Sequence, residues 1–454
     1  MFHRIVYIIL LVSLSFSVDL VKESYNFEYN DNQKTLNIEN QLEYLDLPQK
    51  LNDIYEINSE SLIELGILPF STLYLVENNK NYSVQIDVTS SYMLENIIID
   101  IDDNVLNNNV LSDRMSMRGV DVIQITYFPF EYDADSQTLT IVEDVNITIL
   151  ESNSIQNNDL DENVIPISRE FEKILSDMVV NLELGDRVSD NLPSILFICG
   201  GSSASNSYLQ DLIQWRKEQG YKVFVESTSN IGNSYSSISN YIEDAYYNWE
   251  FPPEYIVLVG DTSGGYEVAS STSSGGSSDY GYTLVDGDDL LPEMFIGRIS
   301  ANSSSDINNI INKTLAYEKA TFIDYTGSDW YESSALVGDP SATGNSAIIT
   351  NEYIENMLNA HEFENVETCY GCSYSNWMQN RLEDGILYFN YRGYIGTSGF
   401  GSTHINNANN GYMNPFVTFI TCATGDFSWT SISEDFIRAG SVSNPKGGVA
   451  AVGT

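Results

Sequence analysis

Phe416 to Phe427 reads FVTFITCATGDF, and the class of fold turns on how this stretch is interpreted. The mostly apolar run Phe416 to Ile420 predicts a strand buried on both faces, which delivers Cys422 into a Gly-containing turn ahead of the polar segment Ser428 to Asp435. In open α/β sheets ligands bind beyond the carboxyl ends of the strands. A thiol presented there is placed as a nucleophile would be, and further chemistry is expected at the ends of neighbouring strands. The plainer alternative is a small buried hydrophobe, the commonest fate of a free cysteine.

Working outward, the chain after Pro193 alternates strands with amphipathic helices. SILFICGG (Ser194 to Gly201) is followed by a helix with Leu209, Leu212 and Ile213 in register and Gly220 at its end. KVFVE, YIVLVGD, SALVGD, ILYFNYRG and GGVAAVG extend the pattern. The grammar predicts a mostly parallel sheet with helices on both faces over residues 194–454. Earlier, from about Val18 to Leu150, Tyr82, Val84, Ile86 and Val88 alternate with polar residues, as do Ile123 and Ile125, which predicts a β-rich, sandwich-like domain over 18–180. That domain closes on a short helix capped by Ser168, with Phe171, Ile174, Leu175 and Met178 on one face. The polar stretch 181–193 reads as a linker. Because the chain stops at Thr454 directly after a strand-like run, the natural product is expected to continue.

The first residues, MFHR and then a largely apolar run from Ile5 to Phe16, have the layout of a secretory signal peptide over 1–17, too short to span a bilayer comfortably. No later stretch is apolar for long enough to be a membrane helix. An exported, soluble protein is expected, secreted or at the cell surface. Acidic residues outnumber basic ones 64 to 20, a net charge of -44, which repels nucleic acid and anionic lipid. Cys199, Cys369, Cys372 and Cys422 are too few for a disulfide scaffold, and a lone CxxC at Cys369 to Cys372 lacks the second half of a zinc site. It predicts a local disulfide or two packed thiols.

Four of the predicted strands end in suggestive residues: Asp261, Asp339, the turn Arg392 to Gly396, and Cys422. A cysteine hydrolase needs a thiolate, a base, a group to orient that base, and backbone N–H donors for the oxyanion. The stretches YIVLVGD, VDGDDLLPEMFIGRIS with NKTLAYEKAT after it, SALVGDPSATG, LYFNYRGYIGTSGFGSTHI and PFVTFITCATGDF, in this order, resemble the gingipain family of secreted cysteine peptidases. The resemblance covers most of the chain and implies a caspase-like α/β catalytic domain preceded by a β-rich propeptide. It also implies Cys422 as the nucleophile and Asp339 as the acid that orients the catalytic histidine. In the family that histidine sits in a Gly-His-Gly turn, whereas this chain has Gly393, Tyr394, Ile395 and Gly396. A phenol with pKa about 10 is a poor base at neutral pH, and an imidazole near about 6.5 titrates where the task needs it. Beyond the first domain lie His361, in a helix-to-strand connection with a surface-loop reading, and His404, on the loop before the cysteine strand. Two readings stay open: His404 has taken over as base, or the site is altered and weak or inactive.

The segment Asp286 to Glu293, with Asp286, Asp288 and Glu293 as alternating and terminal carboxylates and Asp261 from a nearby strand end, is suited to calcium. The family resemblance implies a structural calcium on a similar loop; the alternative is a solvated acidic turn. Where an arginine-specific family member would place an acidic pocket residue, shortly after Asp339, this chain has Asn345, Ser346 and Ala347, which gives no argument for basic specificity. The expected function is an exported cysteine endopeptidase precursor acting on protein or peptide substrates, its oxyanion lying against N–H groups near Cys422 and Ile395. The alternatives are a sortase-like transpeptidase of a secretion system and a catalytically silent binding or adhesion protein.

Overall fold

The computed structural model describes residues 25–40, 70–77, 79–95, 111–128, 130–133, 135–153, 165–190, 192–273, 276–327 and 330–454; the expected signal peptide lies outside the described residues. The chain divides into two compact units, Met1–Asn191 with Asp286–Glu293, and Leu192–Val285 with Met294–Thr454.

The first unit is antiparallel. Tyr25–Asn30, Thr35–Asn40, Thr138–Asn153 and Lys80–Glu95 lie side by side in one sheet, with Phe130–Asp133 also paired to Thr138–Asn153. Phe70–Leu75, Val120–Tyr127 and Met115–Met117 form a second. Side chains alternate along a strand, so each sheet turns one apolar row inward. Leu36, Ile38 and Ile147 from the first sheet and Phe70, Tyr74 and Ile125 from the second meet in one core, which makes the unit a sandwich. The helix Arg169–Met178 starts where the Ser168 hydroxyl accepts the Phe171 N–H, and it buries Phe171 and Leu175.

Two details of this unit differ from the sequence expectation. The supposed linker carries a turn at Gly185–Arg187 and a short strand, Val188–Ser189, paired in parallel with Ile167–Ser168. The acidic segment 286–293, expected to serve the α/β domain, is instead tied to Ser116, whose N–H donates to Asp289 Oδ2 (2.7 Å) and whose hydroxyl donates to Asp286 Oδ2 (3.0 Å).

The second unit holds two parallel sheets where one continuous sheet was expected. The first runs in the order Lys222–Ser227, Ser194–Cys199, Pro253–Val259, Phe295–Ile299; the second, Asn365–Cys369, Ser333–Gly338, Tyr388–Ile395, Phe416–Cys422, Ala450–Val452. Helices cover the sheets: Leu209, Leu212, Ile307 and Ile311 close on Ile195 and Phe197, while Leu382 and Phe436 close on Val337, Phe389 and Phe419. The helix Ile432–Arg438, which follows the cysteine turn, ties the second sheet to the first. Arg438 Nη2 donates to Asp261 Oδ2 (2.9 Å), Ser300 Oγ (2.7 Å) and Glu434 Oε1 (2.7 Å). Asp261 and Glu434 are both buried, so removing one partner would strand an uncompensated charge, a loss of about 3–5 kcal/mol. This clamp fixes the frame against which the cysteine turn is held.

Candidate active site

The strand Phe416–Cys422 buries Val417, Phe419 and Thr421, while Phe416 is exposed and Thr418 and Ile420 are half-buried. It is therefore packed hard on one face only, not on both as its apolar composition predicts. Cys422 ends the strand as an exposed free thiol. The next residue, Ala423, has φ 63°, a left-handed conformation that costs a non-glycine residue energy and that gathers at functional turns. The turn is pinned from behind: the N–H groups of Thr424 and Gly425 donate to Thr454 O (2.9 and 3.0 Å), and the Thr424 and Thr454 hydroxyls donate to Thr421 O (2.8 and 2.7 Å). A Cβ on Gly425 would stand 2.3 Å from Gly453 O, so only glycine permits this close approach.

On the neighbouring strand Tyr388–Ile395 the register is Arg392 with Ile420 and then Ile395 with Cys422. Three steps along one strand match two along the other, so one extra residue bulges out between Arg392 and Ile395. Beyond it, Gly396 N–H donates to Cys422 O (3.0 Å), which closes the turn onto the cysteine backbone. Tyr394 and Ile395 are 64% and 66% exposed, so the tyrosine in the histidine position stands in solvent beside the thiol's strand end. Arg392 is half-buried and places Nη1 on Gly393 O and Ile420 O, the latter at 3.1 Å.

Asp339 caps the helix Pro340–Thr343. Its backbone N–H donates to Arg392 O (2.9 Å), which brings it to the same strand ends as Cys422. One carboxylate oxygen accepts from the Ser341 N–H (3.0 Å) and hydroxyl (2.6 Å), the other from the Ser398 hydroxyl, which also meets Tyr391 OH (2.6 Å). Burial pushes this carboxyl up, and the hydrogen bonds from Ser341 and Ser398 together outweigh it and hold the group below its ordinary value. Ser398 is itself left-handed, with φ 46°. Asp339 thus anchors the loop that leads from Tyr394 to His404.

His404 lies on the helix Ser402–Asn407, stacked on Phe400 at 5.5 Å between ring centroids. Its Nδ1 accepts the Gly401 N–H at 3.3 Å, leaving Nε2 to carry the proton of the neutral ring. Among the described residues neither His404 nor Asp339 hydrogen-bonds Cys422. The structure gathers Cys422, Tyr394, Ile395 and Arg392 at paired strand ends and attaches Asp339 to Arg392 and Ser398. Ser398, Ser341 and Arg392 had no role in the sequence reading, although Arg392 stands within the very turn it singled out. Cys369 and Cys372 form a disulfide.

Among the described residues no group of three or more His, Cys, Asp or Glu side chains gathers as a metal site. Asp261 accepts from Arg438 Nη2 (2.9 Å) and from the Thr262 N–H (2.6 Å). Asp286 accepts from Ser116 and from the Gly287 N–H (3.0 Å), Asp288 is exposed, and Glu293 is buried with its carbonyl on Arg118 Nη1 (3.0 Å).

Comparison with known proteins follows the same geography. The family model of peptidase family C25 matches residues 189–454. Gingipain R1 of Porphyromonas gingivalis is 26% identical over 361 residues, covering 75% of this chain and 35% of that protein. Lys-gingipain of the same organism is 29% identical over 248 residues, covering 51% of this chain and 14% of its own length. The crystal structure of the Arg-specific cysteine proteinase gingipain R superposes with a TM-score of 0.51 at 25% identity, over 58% of this chain and 62% of that one. The chain thus spans about a third of the length of gingipain R1.

Proposed function

Because the chain belongs to peptidase family C25, we propose that it is the precursor of a cysteine endopeptidase that hydrolyses protein or peptide substrates through Cys422. The observation that carries the reading is the exposed thiol at the end of a parallel strand, released into a left-handed turn beside the bulged Arg392–Gly396 segment. Cys422 Sγ attacks the scissile carbonyl carbon; the S–C bond forms and the carbonyl π electrons move to oxygen. Backbone N–H groups near Cys422 and Ile395 stabilise the oxyanion. The amine leaves with a proton supplied by His404 or Tyr394, and water then cleaves the thioester. Asp339 supports this proton-transfer loop through Ser398. Hydrolysis of a mixed peptide library by the wild type, and its loss in Cys422→Ala at unchanged melting temperature, is the test; residual turnover near wild type removes the assignment.

A second reading has a specific observation behind it. Neither His404 nor Asp339 reaches Cys422 through a hydrogen bond among the described residues, as would suit a silent protein that keeps the fold for binding. Tyr394→His separates the two, because an impaired enzyme gains activity and a binder gains none.

Three further parts of the proposal rest on the sequence. The apolar run Ile5 to Phe16 supports export, and N-terminal sequencing of the secreted chain tests it. The β-rich first unit is read as a propeptide released near 181–193, and an uncut, fully active chain on intact-mass analysis would contradict that. A structural calcium on Asp261, Asp286, Asp288 and Glu293 rests on their spacing and on the family resemblance, and it would compete with Ser116 for Asp286. Chelator should then lower the melting temperature, since an ion bound only by the folded state stabilises it; an unchanged melting curve leaves a hydrogen-bonded acidic turn.

A further inference from the structure

The strand Tyr388–Ile395 begins in the core and ends outside it. Phe389 and Tyr391 pack with Phe419, whereas Tyr394 and Ile395 at its end are exposed. The neighbouring strand stops short. Ser333–Gly338 pairs with Tyr388–Ile395 only as far as Gly338 with Arg392, and at Asp339 the chain turns away into the helix Pro340–Thr343. On the other side pairing resumes past the bulge, with Ile395 opposite Cys422.

A single exposed isoleucine needs no explanation of its own. Its register gives this one a meaning. Neighbouring strands lie about 4.8 Å apart, and successive side chains alternate between the faces, so paired residues share a face. The Ile395 side chain therefore stands beside that of Cys422, and both are exposed. The two backbones are tied together next to the pair: Gly396 N–H donates to Cys422 O (3.0 Å), and the Thr421 hydroxyl donates to Gly396 O (3.4 Å). A substrate whose carbonyl carbon meets Cys422 Sγ must bring a neighbouring group against Ile395.

The charged groups of the adjoining turns are engaged with the protein itself. Asp339 accepts from Ser341 and Ser398, and Asp426 from the N–H groups of Ser277 (3.1 Å) and Ser428 (3.0 Å). Arg392, half-buried on the same strand as Ile395, donates to the carbonyls of Gly393 and Ile420. What the edge beside the thiol offers a substrate side chain is apolar surface.

We propose that Ile395 is a specificity-determining residue, the apolar wall beside Cys422, and that it selects peptides with an aliphatic or aromatic residue adjoining the scissile bond. The inference rests on Cys422 being the nucleophile. Such a residue covers Ile395 as the carbonyl reaches the sulfur, and both apolar surfaces leave water together. The choice of side chain at this position leaves the backbone N–H groups of the turn in place, so selectivity can be altered apart from them.

The test is a randomised peptide library with its cleavage sites read by mass spectrometry. Wild type should prefer Leu, Ile or Phe over Asp or Arg at one of the two positions adjoining the cut by about tenfold, the low end of what one methylene is worth in an apolar pocket. Ile395→Asp should transfer the preference to Lys and Arg, and Ile395→Leu should keep it. One profile shared by wild type and active Ile395→Asp overturns the proposal. A second measurement needs no hydrolysis and no variant that folds. Benzyl and methyl methanethiosulfonate transfer their benzylthio and methylthio groups to Cys422 as methanesulfinate leaves, and mass spectrometry locates the adduct. The benzyl-to-methyl rate ratio in wild type should exceed that of glutathione about tenfold, and it should fall towards the glutathione value in Ile395→Ser; a wild-type ratio at or below that value overturns the proposal. The pair of measurements keeps the readings apart. A benzyl preference lost in Ile395→Ser, in a protein that cleaves nothing, retains the apolar wall and removes the peptidase, whereas cleavage indifferent to Ile395→Asp retains the peptidase and removes the wall.

Discussion

Cys199 and Cys422 each end a parallel strand, Ser194–Cys199 in one sheet and Phe416–Cys422 in the other, and each is followed by small residues. One is inert and the other is accessible. Cys199 is fully buried, and burial pushes its thiol up to about 12 despite a hydrogen bond with Ser203 that works the other way. Its strand is buried along its whole length, and the chain after it is held close. Cys199 belongs to the buried core with Phe197, Leu209, Ile307 and Ile311, and the backbone of Tyr266 and Glu267 packs onto the following Gly200 so closely that a Cβ there would meet Tyr266 O at 2.4 Å. After Cys422 the chain instead takes a left-handed step at Ala423 and is drawn back by Thr454, which leaves the sulfur exposed. A strand-end thiol becomes a candidate nucleophile through the turn that follows it, and the strand alone does not decide.

The largest effect expected from this contrast is on turnover. Cys422→Ala should reduce hydrolysis to background, and Cys199→Ala should leave it intact while lowering stability through the small cavity it opens. Equal losses of activity in the two variants would break the comparison. Next comes the proton-transfer group: His404→Ala should slow turnover by about 10²–10⁴-fold and Tyr394→Phe should do little, measured as kcat with a fluorogenic peptide. The opposite order would assign the proton to the phenol.

Gly200→Ala sharpens the contrast from the other side. The added methyl forces the covering backbone away, at about 1–3 kcal/mol by denaturant unfolding, and should render Cys199 reactive to iodoacetamide. A destabilised variant whose Cys199 stays silent would show that other contacts seal the thiol. The smallest effect concerns the Asp339 anchor. Its folded-state carboxyl is held below the ordinary value, so its stabilising contribution is complete above the ordinary carboxylate range and is lost as pH falls below that range through the lowered folded-state value. Ser398→Ala should lower stability by about 1 kcal/mol or less at neutral pH, and the gap to wild type should close on acidification. A gap that stays constant with pH would mean that the Ser398 hydroxyl does not act through Asp339.

Much of this could be read from the chain before it was seen folded. Alternating apolar residues such as Val84 and Ile125 fixed the first unit as β, and apolar strands separated by amphipathic helices fixed the second as parallel. These signals are local, and local periodicity is what sequence displays best. The division of the second unit into two sheets left no such mark, because strands of both sheets share one composition. Contacts across long separations were also hidden. Ser116 meets Asp286 and Asp289 over 170 and 173 residues, and Arg438 meets Asp261 over 177, pairings that no local pattern displays. At the site, Cys422 announced itself by an apolar run ending in a thiol. Arg392 did not, because the Ile420 carbonyl that its guanidinium meets lies 28 residues away in the chain.

The central claim is that Cys422 is the chemically live thiol and Cys199 its silent counterpart. It is tested most directly by treating the wild-type protein at neutral pH with a peptidyl acyloxymethyl ketone, mapping every modified cysteine by tandem mass spectrometry, and following peptide hydrolysis in the same sample. The predicted result is a single adduct on Cys422 that rises as hydrolysis falls. Continued hydrolysis with Cys422 fully modified, or an adduct on Cys199 with Cys422 untouched, would contradict it.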